Sequence, residues 1–321
     1  MSPDFLELLL KSFIIFVICS YIYKIFIPII RKKLIDVPNI RSSHVKPTPT
    51  SGGIIFSIFG SLLSLIDGSY SVLLVLPLSI IGFIDDIKNI KPAIRFFFQV
   101  ITVLTLLIFA SNSIIIPNEI TLSTIFLYFF VIIAFTGIMN FVNFMDGIDG
   151  LVGGCMLIII GFYCLNVDIL FWPFIPCLFA FIMFNWSPAK IFMGDSGSLF
   201  LGALYVIFLL KAPRFSDIIN LLIISSPLFI DAIVCLFMRV LYKQNIFKPH
   251  KSHLYQRMVS KGLSHSIVSS IYISSTIFLC IVVMNYNLFI KVICVLILFL
   301  LGLLLDKYCA ISFNKAVNLR N

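Results

Sequence analysis

Five carboxylates in this chain stand at the edges of apolar runs. Asp85 and Asp86 close Gly82-Phe83-Ile84-Asp85-Asp86, Asp146 and Asp149 lie in Asn143-Phe144-Met145-Asp146-Gly147-Ile148-Asp149-Gly150, and Asp195 lies in Met193-Gly194-Asp195-Ser196-Gly197-Ser198. Basic and polar segments accompany them: Ser43-His44-Val45-Lys46-Pro47-Thr48-Pro49, Arg95, Lys190 after Asn185-Trp186-Ser187-Pro188, and His250-Lys251-Ser252-His253-Leu254-Tyr255-Gln256-Arg257. A few carboxylate oxygens suit Mg²⁺ or Mn²⁺ far better than zinc, because Mg²⁺ is usually held by one or two carboxylates plus substrate phosphates. Lys, Arg and His around such an ion are what phosphoryl transfer uses. The protein's work there is to position anions and neutralise charge on non-bridging oxygens.

Each of these features also has a plain structural reading. Asp85 and Asp86 suit a solvated helix end. Asp146 and Asp149, spaced i,i+3, share a face on a helix or cap a tight turn in their glycine-rich surroundings. His250 and His253 suit a membrane headgroup layer. Asp231, after Pro227, is intramembrane, which by default suggests function, but a hydrogen bond in a kinked helix serves as well. The eight cysteines form no CxxC pair and read as small hydrophobes. What favours a site is the joint occurrence of the polar motifs on one side of the chain.

The elements that must position them are membrane helices. Of 321 residues, 60% are hydrophobic and 12% charged, about half the charge of a soluble domain. Eleven apolar runs are expected as spans, at roughly 5–30, 52–66, 71–84, 94–110, 121–142, 151–165, 169–184, 199–210, 218–240, 266–284 and 288–305. The first is too long for a cleaved signal peptide and is expected to be retained. Eighteen of the 23 Lys and Arg fall in the loops 31–51, 85–95, 143–150, 185–198, 239–265 and the tail from Asp306. The positive-inside rule puts those loops in the cytosol and the N-terminus outside. All four histidines and the five carboxylates share that side. The expected architecture is all-α and polytopic, one transmembrane domain over 1–321, with its chemistry facing the cytosol. The net charge of +9 has no soluble domain to carry it to nucleic acid, and instead suits anionic headgroups or an anionic substrate.

In order along the chain, HxKPTP…GG, GFxDD, NxxNFMDGIDGL, FNWxPAKIFMGDSGSLFLG and HxxHLYQR resemble the polyprenyl-phosphate N-acetylhexosamine-1-phosphate transferases. These are relatives of phospho-N-acetylmuramoyl-pentapeptide transferase, and the resemblance runs from about residue 36 to 265. It implies that a UDP-N-acetylhexosamine and undecaprenyl phosphate react with Mg²⁺ or Mn²⁺ to give undecaprenyl-diphospho-sugar and UMP. The setting it implies is the inner membrane of a bacterium, at the start of a glycan such as O-antigen, with a second copy of the chain as the expected protein partner. By the same resemblance Asp195 is the main metal ligand and Asn143 assists it. Asp85 and Asp86 hold the lipid phosphate as base or orienting groups, and Asp146 and Asp149 lie around the nucleotide diphosphate. His250, His253 and Arg257 contact that diphosphate, while His44, Lys46, Arg95 and Lys190 supply further basic contacts. Ser252 stands where close relatives carry a third histidine, which argues against the muramoyl-pentapeptide branch. A transporter of nucleotide- or lipid-linked sugars is the rival from another class, but it calls for ionisable groups near the midplane, where only Asp231 lies.

Overall fold

The computed structural model describes residues 3–38, 46–110, 121–245 and 250–318. The chain is 78% helical, and each of the eleven apolar runs falls on a helix. In order these are α1 (Pro3–Ile30), α2 (Gly53–Ile66), α3 (Val72–Lys88), α4 (Pro92–Phe109), α5 (Leu122–Met145), α6 (Leu151–Asn166), α7 (Phe174–Asn185), α8 (Asp195–Lys211), α9 (Phe215–Leu241), α11 (His265–Asn285) and α12 (Leu288–Cys309). Six of them, α1, α4, α5, α9, α11 and α12, are long and apolar enough to cross a membrane. The other five have 12 to 17 residues. The run 169–184 divides into a single 3-10 turn at Ile169–Phe171 and α7, with Pro173 at the N-cap of α7.

Four short elements lie in the expected loops. Ile35–Asp36 (β1) pairs antiparallel with Thr48–Pro49 (β2). Two short helices, α10 (Leu254–Ser260) and α13 (Phe313–Asn318), lie in the basic loop and the tail.

The core is built around α8. Every residue of α8 from Ser196 to Leu210 is buried, as a helix apolar on all sides requires. It packs against α3, α5 and α2. By contrast α12 buries none of its residues, and α1, α4 and α5 expose long rows of Leu, Ile and Phe, the surface that lipid would cover.

Close packing at the first turn of α8 needs glycine on both sides. A Cβ on Gly53 would lie 2.1 Å from the Gly197 Cα, so α2 and α8 cross there backbone to backbone. Hydroxyls finish the joint. Ser57 and Ser79 lie 2.6 Å apart, and Ser79 donates to the Ser196 carbonyl at 2.8 Å. The segment after β2 runs beside residues 192–193: Phe192 N–H donates to Pro49 O, Gly52 N–H to Phe192 O and Gly53 N–H to Met193 O, at 2.8 to 2.9 Å.

The two loop sets separate to opposite ends of these helices. At one end Lys11 pairs with Asp67, Lys211 with Asp168 and Arg214 with Asp217. At the other lie the carboxylates of the motifs.

Candidate active site

At that second end the loops meet around a cavity of ≈ 840 Å³. Seven of the expected site residues line it: Asp85, Asp86, Arg95, Asn143, Asp146, Asp149 and Asp195. They arrive from the C-terminal end of α3, the start of α4, the α5–α6 connection and the start of α8, so elements more than a hundred residues apart in sequence share one chamber.

Asp195 is at its centre. It opens α8, where a negative charge is favoured by the helix dipole. One of its oxygens is paired with Arg95, and the other accepts Asn143 Nδ2 at 2.9 Å. Asn143 Nδ2 also reaches Ser198 Oγ at 2.9 Å, which leaves its carbonyl oxygen without a hydrogen bond among the described residues. Arg95 bridges to Asp85 Oδ2 at 2.8 Å, and Asp85 Oδ1 accepts the Ile90 amide at 2.7 Å.

Asp86 has a different task. Its Oδ1 accepts the amide of Asp195 at 2.9 Å and its Oδ2 that of Ser196 at 3.4 Å. Ser51 Oγ donates to Oδ2 at 2.6 Å. The positional N-cap of α8 is Gly194, which has no side chain to cap with. Its φ of +73° puts it in the left-handed region, and a Cβ there would lie 2.4 Å from the Asp86 carboxylate. Asp86 therefore caps α8 from a neighbouring helix, meeting the first amides that every helix leaves unpaired.

Asp149 is a brace. Its Oδ2 accepts the Ala189 amide at 3.2 Å, its carbonyl accepts Ser269 Oγ at 2.7 Å, and His265 Nδ1 lies 3.2 Å from Oδ1. Asn185 ties the same loop to the next one, accepting the Gly150 amide and donating to Ile191 O, both at 2.9 Å.

Asp146 is the exception. Its carboxylate takes part in no hydrogen bond or ion pair among the described residues. Burial, then the charges of Asp195, Asp86 and Asp149, push it up to about 8. Burial and the Asp195 charge lift Asp86 to about 7, against its hydrogen bonds from Ser51 and the two amides. Burial and the shared Asp195 contact raise Asp85 to about 6, although Arg95 pulls the other way. Acids crowded this closely favour a cation among them.

The remaining expected residues lie elsewhere. Lys46 and Lys190 are exposed and outside the cavity lining, and Lys190 lies 5.9 Å over the Phe184 ring. His44 lies outside the described residues. Arg257 points away from the chamber: it donates to Ser252 O and Ile311 O, both at 3.0 Å, pairs with Asp306, and stacks on Phe313. It fastens the C-terminal tail to α10.

His253 is buried behind α10, its Nδ1 3.5 Å from Asp231 Oδ1, with the His250 ring stacked on it at 4.9 Å. Burial works against the charged imidazole, yet the Asp231 carboxylate and Cys235 beside it lift His253 to about 9.

Asp231 itself is explained. It accepts the amides of Leu254 at 2.8 Å and Tyr255 at 3.2 Å, and Tyr272 O–H at 2.6 Å. It caps α10 from α9 as Asp86 caps α8 from α3.

Residues 69–212 match the family described as glycosyl transferase family 4. A phospho-N-acetylmuramoyl-pentapeptide-transferase of Clostridium beijerinckii is 32% identical over 297 residues, covering 80% of this chain and 90% of its own. The chain belongs to glycosyl transferase family 4. The family that the motifs resemble is thus the one found. A probable undecaprenyl-phosphate N-acetylglucosaminyl 1-phosphate transferase of Bacillus subtilis is 29% identical over 304 residues, covering 85% of this chain and 84% of its own. An undecaprenyl-phosphate alpha-N-acetylglucosaminyl 1-phosphate transferase of Thermotoga maritima is 30% identical over 241 residues, with coverages of 72% and 76%.

In this family 4 chain the cavity also recruits Lys33, Asp36, Gln256 and His265, to which sequence reading gave no role. Lys33 ends the basic run Arg31-Lys32-Lys33 after α1, and His265 opens α11. Neither sits in a dense motif, so only the fold brings them in.

Proposed function

We propose that this chain transfers N-acetylhexosamine 1-phosphate from a UDP-sugar to undecaprenyl phosphate, releasing UMP, as the first step of a bacterial cell-surface glycan of the O-antigen kind. The observation that carries this reading is the convergence of three acidic segments and Arg95 on one chamber at the end of a membrane helix bundle. That end carries the basic loops, which by the positive-inside rule supports a reaction on the cytosolic face.

The acceptor phosphate is already a nucleophile near neutral pH, since its second pKa is about 6. One of its oxygens attacks the β-phosphorus in line. The new P–O bond forms as the bond from that phosphorus to the oxygen bridging to the α-phosphate breaks, and UMP leaves with the electron pair. Arg95, Lys33 and His265 line the chamber and reduce the repulsion between the two anions. Mg²⁺ fits the donors present: Asp195, the uncommitted carboxylate of Asp146 and the carbonyl oxygen of Asn143 are hard ligands in an acid cluster short of cations. When bound there it supplies charge to the non-bridging oxygens. Asp85 holds Arg95, and Asp149 holds the loop that carries Asp146.

Membranes containing the full chain, given undecaprenyl phosphate and a panel of UDP-sugars, should release UMP and yield a lipid diphosphate sugar identifiable by mass. Uptake of a UDP-sugar into vesicles without UMP would overturn the proposal in favour of transport. UDP-N-acetylmuramoyl-pentapeptide belongs in the panel because several relatives bear that activity in their names.

Metal dependence has a stability signature. Without Mg²⁺, the native protein holds protons on Asp86 and Asp146 up to about 7 and about 8, whereas unfolded carboxylates lose theirs near 4. The folded state therefore binds more protons between those values, and its stability falls as pH rises. In EDTA the midpoint of thermal unfolding should drop between pH 6 and pH 8. Millimolar Mg²⁺ should flatten that slope. An unchanged slope with Mg²⁺ would count against these ligands.

A further inference from the structure

Behind α10, outside the acidic chamber, lies a second group of ligating side chains. Cys235 of α9, His250 and His253 each bring a ligand atom within 4.8 Å of the other two, and none of the three lines the chamber. We propose that this cluster is a second metal site, selective for a soft or borderline divalent ion of the zinc type.

The donor set decides the class. One thiol and two imidazoles suit zinc, cobalt or copper, and are poor ligands for Mg²⁺. In a tetrahedral zinc site the metal–sulfur and metal–nitrogen distances of about 2.3 and 2.0 Å put ligand atoms roughly 3.3 to 3.8 Å apart. The three side chains therefore need to close by only about 1 Å. Three protein ligands leave one position for water.

Two further observations point to a ligand. His253 Nδ1 is buried with no hydrogen-bond partner, and a buried polar atom left in that state calls for an explanation. Asp231, one helical turn before Cys235 and so on the same face of α9, places a carboxylate 3.5 Å from that atom. This favours positive charge beside that nitrogen.

The consequence is mechanical. The ion would staple the segment before α10 to α9. The same α10 presents Gln256 to the acidic chamber and donates Tyr255 O–H to the Phe144 carbonyl at 2.9 Å, beside the loop of Asp146. Metal at the back would thus rigidify one wall of the front site.

The test is Co²⁺ titration of the purified full-length protein in detergent, with Mg²⁺ saturating. One equivalent should give a thiolate-to-cobalt charge-transfer absorption, which Zn²⁺ then abolishes by displacement. Cys235→Ser should lose the band and weaken Zn²⁺ binding by about 100-fold or more, the upper end of what outer-shell losses alone cost. His250→Ala should weaken Zn²⁺ binding comparably while the thiol remains. The site is refuted if no band forms, if the band survives in Cys235→Ser, or if Mg²⁺ competes it away. Because the readout is binding, failure here leaves the transfer activity standing, and failure of transfer leaves this site standing.

Discussion

Asp195→Asn should reduce transfer of sugar phosphate at saturating Mg²⁺ by about 1,000-fold or more, roughly 4 kcal/mol of transition-state stabilisation, with no loss of folded protein. The side chain is isosteric, and the structural duty at this position is carried by the backbone: the Asp195 amide donates to Asp86, and that contact survives. What disappears is the charge. A neutral amide cannot pair with Arg95, and it presents an NH₂ group toward either that guanidinium or the Asn143 amide. It also removes the anionic ligand at the centre of the acid cluster. Losing one preorganised electrostatic group typically costs 100- to 1,000-fold, and this substitution would disturb three at once: the ion, Arg95 and Asn143. UMP release together with thermal unfolding measures both halves. Activity near wild type in a folded variant would remove Asp195 from the reaction.

The acidic chamber was legible because its residues sit within a few positions of helix ends, where a short motif fixes both side chain and backbone. Arg95, Asn143 and the five carboxylates all belong to such ends. The structural ties of the basic loop were not legible, because the partners of its residues come from far along the chain. Arg257 meets Asp306, 49 residues away, and the amides of Leu254 and Tyr255 are held by Asp231, 23 and 24 residues back. A loop rich in His and Arg looks like a phosphate grip when those counter-charges are invisible. The distinction between α8 and α12 was equally out of reach of hydropathy. Both are apolar around their whole circumference, yet one is the core and the other buries nothing. The difference lies in small residues: Gly197, Gly202 and Ala203 let neighbours approach α8, whereas α12 carries Leu, Ile and Val over most of its length.

The same structure separates two roles for Asp86, and a pair of substitutions tells them apart. Asp86→Ala deletes the acceptor for two amides at the start of α8 and for Ser51 Oγ. Leaving such donors unmet costs about 1 to 3 kcal/mol each when fully buried, and loss of a helix cap alone costs about 1. Water reaching this half-buried position offsets part of that, so a loss of about 2 to 4 kcal/mol is expected. Activity should fall with it by at least 100-fold, because α8 begins with Asp195 and a displacement of about 1 Å at a reacting group costs that much. Asp86→Asn keeps an oxygen for the Asp195 amide and loses only the longer Ser196 contact at 3.4 Å, while its NH₂ can donate to Ser51 Oγ once that hydroxyl turns. It should therefore unfold near wild type and retain at least about ten times the activity of the alanine variant, as expected of a lost cap rather than lost chemistry. If Asp86 instead took a proton from the lipid phosphate, the asparagine variant would be as inactive as alanine while remaining fully stable. Both carboxylate oxygens are already engaged by the first turn of α8 and by Ser51, so serving as a base would undo the cap that holds Asp195 in place. That conflict is the reason to expect the first result.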